Sequence, residues 1–161
     1  MENKISKEKI NDLLKEAAKD SVQKFVEGAV INFSEKRVLL VRRNSDDFMG
    51  GLVELPSGNV DAGEGIIEAL IREVKEETNL DITSVEEYLG NFDYTSGSGK
   101  NARQLNFLVF TDDTENDIKL HANEHDAYHL INLDVDTKSY MELNISDQTR
   151  SIVEKTKWDD L

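Results

Sequence analysis

Residues 58–80, GNVDAGEGIIEALIREVKEETNL, decide how this chain folds. The stretch begins with a glycine-rich turn, continues with apolar residues at helical spacing, and ends in a cluster of glutamates. The spacing predicts a helix with one apolar stripe, formed by Ile67, Leu70, Ile71 and Val74. We therefore expect a helix that packs this stripe against a hydrophobic core.

The glutamates of this stretch indicate a metal site. Glu73, Glu76 and Glu77 are spaced i, i+3 and i+4, so on a helix they lie together on one flank. Their mutual repulsion costs about 0.2–0.5 kcal/mol per pair. On a helical wheel Glu77 falls inside the apolar stripe, where a carboxylate is unfavourable unless it is paired or binds a metal. Oxygen ligands suit Mg²⁺ or Mn²⁺. The alternative is a solvated acidic face, which the position of Glu77 disfavours.

The same stretch resembles the signature of the Nudix hydrolases. The matching positions, at the family's spacing, are Gly58, Glu64, Arg72, Glu73, Val74, Glu76, Glu77 and Leu80. Asn79 stands where the family usually has the glycine that ends the helix, and asparagine also tolerates the left-handed backbone needed there. The resemblance implies an α/β/α sandwich around a mixed β-sheet, here with an extra N-terminal helix. We expect residues 1–21 to form a helical extension and residues 22–161 the Nudix domain.

Composition narrows the possible partners. A chain of 161 residues fits one domain with a substantial core. The absence of cysteine excludes disulfides and thiolate metal sites. A net charge of −14 argues against a nucleic-acid polymer as partner. No run approaches the ~20 apolar residues of a membrane span, and the charged start of the chain lacks the apolar core of a signal peptide. We therefore predict a cytoplasmic protein without membrane contact.

The rest of the chain reads as alternating strands and helices. Residues 6–19 form a predicted helix with Ser6 as its cap, which we expect to dock on its own domain. Docking on a second subunit, in a homodimer, is the alternative. Residues 34–36 make a hairpin turn, and the last helix runs from Ser146 or Asp147 to Lys157, with Trp158 either pinning it or exposed. The predicted strands span residues 22–33, 37–43, 52–55, 83–94, 104–111 and 127–133.

The resemblance assigns three residues outside the signature to the site. In the antimutator-type branch, which hydrolyses nucleoside triphosphates, an arginine at the end of the second strand holds the phosphates. Arg43 matches it, because the interval from Arg43 to Gly58 fits that branch without a gap. The resemblance also implies that the Ser57 carbonyl and Glu124 are metal ligands. Glu124 has the family's spacing, although Leu130 replaces the expected tryptophan. The alternative for Glu124 is one more exposed loop carboxylate.

The roles of these residues follow from the resemblance. Mg²⁺ (or Mn²⁺) is expected to be held by Ser57, Glu73, Glu76, Glu77 and Glu124. Glu73 is the expected general base, with Glu124 as the rival. Arg72 is expected to position carboxylates through Glu68 and Glu76, which lie four residues to either side of it. Glu64 is expected to be structural.

The implied activity is Mg²⁺-dependent hydrolysis of a diphosphate linkage in a small phosphorylated nucleotide. The first hypothesis is a nucleoside triphosphate, intact or oxidised, giving the monophosphate and pyrophosphate. The second is ADP-ribose or another nucleotide sugar. The third, of another class, is a nucleotide-sensing Nudix domain without turnover, which the intact Arg-Glu and Glu-Glu pairs disfavour. Residues that contact the base are expected on loops 44–50, 95–102 and 140–148, and the sequence does not favour one of these loops over the others.

Overall fold

The computed structural model describes residues 1–33, 36–47 and 49–156. The predictions for Ser34, Glu35, Lys157 and Trp158 lie outside these ranges. The helices are α1 (Lys7–Lys19), α2 (Ile66–Thr78), α3 (Thr137–Glu142) and α4 (Asp147–Glu154), with a 3-10 turn at Glu115–Asp117. The strands are β1 (Glu2–Asn3), β2 (Lys24–Phe33), β3 (Arg37–Arg43), β4 (Val53–Glu54), β5 (Ser57–Asn59), β6 (Ile82–Thr95), β7 (Asn101–Thr111) and β8 (His125–Asn132).

The strands form one mixed sheet, as the sequence predicts. Its order is β1-β6-β7-β2-β3-β4, with β5 paired to β2 and β8 paired to β3. The central pair, β2 and β7, is parallel, whereas β6–β7 and β3–β8 are antiparallel. β7 is almost continuously buried, as expected for a central strand covered on both faces.

Helices cover both faces of the sheet, which confirms the α/β/α sandwich. One core contains Leu13 of α1 with Leu70 and Val74 of α2, and the other contains Tyr140 of α3 and Ile152 of α4. α1 therefore docks on its own domain, as expected. The boundary after residue 21 remains a prediction. None of the helices in the described ranges combines the length and the apolarity needed to cross a bilayer.

The sheet opens between β2 and β3. These strands pair only at Asn32–Val38 and Phe33–Arg37. Beyond that point residues 53–59 run between them, with β4 bonded to β3 and β5 bonded to β2. The sequence did not predict β5, because Ser-Gly-Asn has little strand propensity and its pairing is imposed by the adjacent strand β2. β1 and α3 were also not predicted, and β4 is shorter than the predicted strand 52–55.

Both ends of α2 are set by the residues around the signature. Gly65 is the N-cap in an extended conformation, so the helix begins at Ile66. Asn79 is the C-cap with a φ of 67°, and its backbone N–H donates to the Lys75 carbonyl. Its side-chain amide also donates to the Asp117 carbonyl over 3.0 Å. Asparagine therefore ends this helix in the left-handed conformation, as the sequence predicts.

Candidate active site

A cavity of about 350 Å³ lies where residues 53–59 pass between β2 and β3. The carboxyl-terminal half of α2 forms one wall, and the segment that leads into β8 forms another. Six of the predicted site residues line this cavity: Arg43, Ser57, Glu73, Glu76, Glu77 and Glu124. The structure therefore brings together side chains that are up to eighty-one positions apart in the sequence, from Arg43 to Glu124.

Glu77 is the most buried carboxylate of this group. It is 4% exposed, and it accepts a hydrogen bond from the Ser57 backbone N–H over 2.9 Å. Burial, followed by the charge of Glu124, raises the pKa of Glu77 to about 10. Glu77, Glu124 and His125 each offer one ligand atom, and these atoms lie within 4.8 Å of one another. A hard divalent cation would compensate the charges gathered here, so the donor set fits Mg²⁺ or Mn²⁺.

Glu73 lies directly over Gly58. A methyl group at Gly58 would overlap the Glu73 carboxyl group, so glycine is required for this close approach. The Glu73 side chain is 15% exposed, whereas that of Glu76 is 54% exposed. Burial raises the pKa of Glu73 above its usual value, against the opposing effect of Arg72. Glu73 is thus a carboxylate held in place at the rim of the cavity.

Arg72 ties the glycine-rich turn to the helix. Its Nε and Nη2 donate to the two carboxylate oxygens of Glu64 over 2.7 and 2.8 Å. Its Nη1 donates to Glu73 over 2.9 Å and to Glu76 over 3.1 Å. The bonds from Arg72 to Glu64, followed by the bond that the Asp61 backbone N–H donates to Glu64, lower the pKa of Glu64 to about 2.

The expected pairing of Arg72 with Glu68 is wrong, because Arg72 bonds to Glu64 instead. α2 begins only at Ile66, so Glu64 belongs to the preceding turn and not to the helical series of i+4 steps. The turn folds back and brings the Glu64 carboxylate over Arg72, while Glu68 lies exposed on α2. The expectation that Glu64 is structural agrees with these contacts.

Arg43 points into the cavity and Arg42 points away from it. Arg42 pairs with Asp126 over 2.7 Å, and Arg43 contacts Glu54 over 3.2 Å and Asp47 over 3.3 Å. Opposite faces for the two arginines are what strand alternation predicts. Arg43 is therefore placed to contact a ligand in the cavity.

Glu54 and His125 connect Arg43 to the acidic cluster, and this link was not predicted. His125 is 4% exposed, and its Nε2 hydrogen-bonds with Glu54 Oε2 over 3.0 Å. Its Nδ1 is buried, without a hydrogen-bond partner among the described residues. The two residues are 71 positions apart, and no local pattern signals a contact over that separation.

Glu27 is a second residue that the sequence did not single out. It lies on β2 opposite Gly58 of β5, and it is 1% exposed. Neither carboxylate oxygen has a hydrogen-bond partner in the described part of the chain. Burial, followed by the charges of Glu73 and Glu64, raises the pKa of Glu27 to about 9. The carboxyl group of Glu27 is consequently neutral at pH 7.

Replacing Glu27 by glutamine should remove a pH dependence of stability. The pKa of Glu27 is about 9 in the folded protein, whereas in the unfolded chain the carboxyl group has its ordinary pKa of 4.5. The wild type should therefore lose stability as pH rises between these values, by about 1.4 kcal/mol per pH unit at most. The variant lacks this loss, so its free energy of unfolding should exceed that of the wild type at pH 8.

Urea denaturation at pH 5, 7 and 8 measures this difference. Glu16→Gln, on the exposed side of α1, is the control and should behave like the wild type. A difference between Glu27→Gln and the wild type that stays constant over this pH range would contradict the prediction.

Comparison with known proteins identifies the family. Residues 26–144 match the model of the NUDIX domain. This chain belongs to the Nudix hydrolase family. The matched range includes the whole cavity lining except Lys24, so the candidate site lies within the NUDIX domain.

Two kinds of relative resemble this Nudix protein. It is 43% identical over 56 residues to an ADP-ribose pyrophosphatase of Methanocaldococcus jannaschii; the match covers 35% of this chain and 32% of that protein. The MutT protein of Methanosarcina mazei Go1 has a similar fold, with a TM-score of 0.68 and 23% identity over 85% of this chain and 93% of that one.

A third similar structure is the NUDIX domain of Shewanella oneidensis NrtR complexed with ADP ribose. Its TM-score is 0.67 at 15% identity, over 98% of this chain and all of that one. These structures establish the fold that this Nudix protein shares with them.

Proposed function

We propose that this Nudix protein hydrolyses a diphosphate linkage in a nucleoside diphosphate derivative, with a nucleoside triphosphate as the foremost substrate. The products would be the nucleoside monophosphate and pyrophosphate. The observation that carries the proposal is the buried Glu77 carboxylate beside Glu124, in a cavity that Arg43 also lines. The cavity is lined by six acidic side chains and only two cationic ones, Lys24 and Arg43. Bound divalent cations would balance this excess of negative charge and allow a phosphate group to bind.

Nudix hydrolases generally use divalent metals, and the oxygen atoms that line this cavity suit a divalent cation as ligands. The Ser57 carbonyl, Glu73, Glu76, Glu77 and Glu124 would hold Mg²⁺ or Mn²⁺. Such an ion, when bound, neutralises phosphate charge and makes a coordinated water more acidic. Glu77 and Glu124 are the strongest candidates among these ligands because their oxygen atoms already lie close together.

The protein's own groups position the substrate and receive the proton. The Arg43 guanidinium contacts substrate phosphate, for which its planar donors are well suited. Glu73 accepts the proton of the attacking water, with Glu124 as the rival base. Arg72 holds the Glu73 and Glu76 carboxylates through its Nη1, so we assign it a positioning role. Burial raises the pKa of Glu73, which makes its carboxylate a better proton acceptor.

ADP-ribose or another nucleotide sugar is the second candidate substrate. The relative named ADP-ribose pyrophosphatase and the NrtR structure with bound ADP ribose favour it. The interval from Arg43 to Gly58, which fits the antimutator-type branch without a gap, favours the triphosphate. The retained Arg72-Glu73 and Glu76-Glu77 pairs argue against a sensing domain without turnover. Homodimer formation and a cytoplasmic location remain predictions.

A substrate panel with Mg²⁺ or Mn²⁺ tests the proposal. Wild-type protein is incubated with nucleoside triphosphates, their 8-oxo forms, ADP-ribose and nucleotide sugars, and the products are separated by chromatography. Release of pyrophosphate with a monophosphate supports the first hypothesis, and release of AMP from ADP-ribose supports the second. Binding of nucleotides without turnover under every condition would refute hydrolysis and favour the sensing domain.

A further inference from the structure

A second cavity of about 250 Å³ opens beside the acidic one. The two cavities share Arg43, Glu54, Ser57 and Tyr94, so one ligand could extend through both. The second cavity is mainly apolar at its wall, where Phe92 and Tyr94 lie with ring centroids 6.3 Å apart. A flat aromatic group attached to phosphates would bury its faces here and leave the phosphates near Arg43.

Gln104 is a buried amide in the wall of this second cavity, and its orientation follows from hydrogen bonds. Asn106 Nδ2 donates to the carbonyls of Gly90 and Gln104, which can only accept. Asn106 Oδ1 must therefore be the atom that faces Gln104, and it accepts from Gln104 Nε2 over 2.8 Å. Gln104 lines the second cavity, and with its amide nitrogen bound in this way Oε1 is the atom left to accept a hydrogen bond from a ligand.

The backbone beside Gln104 keeps this orientation in place. Gly28 of β2 lies against the pair, and a Cβ there would overlap both Asn106 Oδ1 and Gln104 Nε2. Phe92 pairs in register with Gln104 across β6 and β7, so its ring flanks the amide. Gln104 is only 7% exposed, so its oxygen is an acceptor recessed in an aromatic wall. An acceptor in such a place is costly when it lacks a donor, and it selects a ligand that supplies one.

We propose that Gln104 is a specificity-determining residue, whose Oε1 accepts a hydrogen bond from the exocyclic amino group of a nucleobase lying against Phe92 and Tyr94. An amino group projects beyond the ring edge, so it reaches a recessed acceptor more readily than a ring N–H does. The proposal rests on the proposed function, since it places the base of the nucleotide in the second cavity and its phosphates in the first.

Pairs of nucleotides that differ by one amino group test this role. ATP is compared with purine riboside triphosphate, which lacks the 6-amino group, and GTP with ITP, which lacks the 2-amino group. Wild-type kcat/KM should favour the amino-bearing member of at least one pair about tenfold or more. Gln104→Leu should bring that ratio close to one. Equal kcat/KM values within both pairs for the wild type, or an unchanged ratio in the variant, would overturn the proposal.

A double variant distinguishes loss of base recognition from damage to the fold. Gln104→Leu leaves Asn106 Oδ1 without its donor, whereas Gln104→Leu combined with Asn106→Leu removes both partners together. The double variant should also lose the discrimination. Gln23→Leu changes an exposed amide outside both cavities and should keep the wild-type ratio. If Gln104→Leu altered only the preference between ribose and deoxyribose substrates, the residue would read the sugar and the proposal would fail.

Binding measurements separate this proposal from the proposed hydrolysis. Calorimetric titration with AMP, purine riboside monophosphate, GMP and IMP requires no turnover. Discrimination in binding without hydrolysis would keep Gln104 as the base reader and refute the enzyme activity. Hydrolysis without discrimination in either measurement would keep the enzyme activity and refute the role of Gln104.

Discussion

Replacing Glu77 by glutamine should lower kcat/KM by about a thousandfold or more, on the substrate that the wild type hydrolyses best. Glutamine has nearly the same shape, and its side-chain oxygen can still accept the Ser57 N–H bond that Glu77 accepts over 2.9 Å. It cannot supply the negative charge that a divalent cation needs. Burial raises the pKa of Glu77 to about 10, which means that this site already disfavours a bare charge, and a neutral amide is compatible with the same surroundings. The fold should therefore persist while activity is lost.

Two measurements distinguish loss of the metal site from general damage. Mg²⁺ should raise the melting temperature of the wild type, because it binds the folded state, and should not raise that of Glu77→Gln. Glu68→Gln changes an exposed glutamate on the same helix and should retain wild-type kcat/KM. Equal activity in Glu77→Gln and the wild type would show that Glu77 has no part in catalysis.

Replacing Gly58 by alanine should lower kcat/KM by about a hundredfold, because the new methyl group would occupy the place of the Glu73 carboxyl group. Either Glu73 or β5 must move, and both belong to the cavity wall. Overpacking of this kind typically costs about 1–3 kcal/mol of stability as well. Activity assays and urea denaturation of the same sample report the two effects.

Gly65→Ala is the matched control for Gly58→Ala. Gly65 has a φ of −76°, and a Cβ there would meet its nearest neighbour, Glu68, at 3.5 Å, which is an ordinary contact. The substitution should cost a few tenths of a kcal/mol to about 1 kcal/mol in helix capping and should leave kcat/KM within about threefold. Equal losses of activity in both variants would mean that the glycine-rich turn, and not the position of Glu73, controls the rate.

Features set by neighbours in the sequence were predicted well. The inward position of Glu77 and the cap at Ser6 depend on helical geometry, and the structure confirms both. Of the predicted apolar stripe of α2, Leu70 and Val74 are buried, whereas Ile67 and Ile71 pack against the core only partly buried. Strand alternation alone accounts for the opposite directions of Arg42 and Arg43. The location of the acidic cluster followed from the Nudix resemblance together with the helical spacing.

Features set by distant segments were missed or misassigned. Arg72 bonds to Glu64 because the preceding turn folds back, which helical spacing cannot show. Glu54 contacts His125, and Glu27 faces Gly58, only after strands far apart in sequence have paired. β5 has no intrinsic preference for a strand and exists because β2 is available beside it. The contacts of these residues can be recognised only when the register of the sheet is known.

The parallel pair at the middle of the sheet also affects how the molecule assembles. The antiparallel partners of β2, which are β3 and β5, follow it closely in the chain, but Lys24 pairs with Ala102, so the parallel partner β7 is available only when most of the polypeptide has been made. Contacts over such a long loop are slow to form compared with those of a hairpin, and β6–β7 is the local hairpin that can form first. Refolding should consequently show early protection of the β6–β7 amides from hydrogen exchange and late protection of the β2 amides that bond to β7. The cavity that depends on β2 would then be completed only in the last stage of folding.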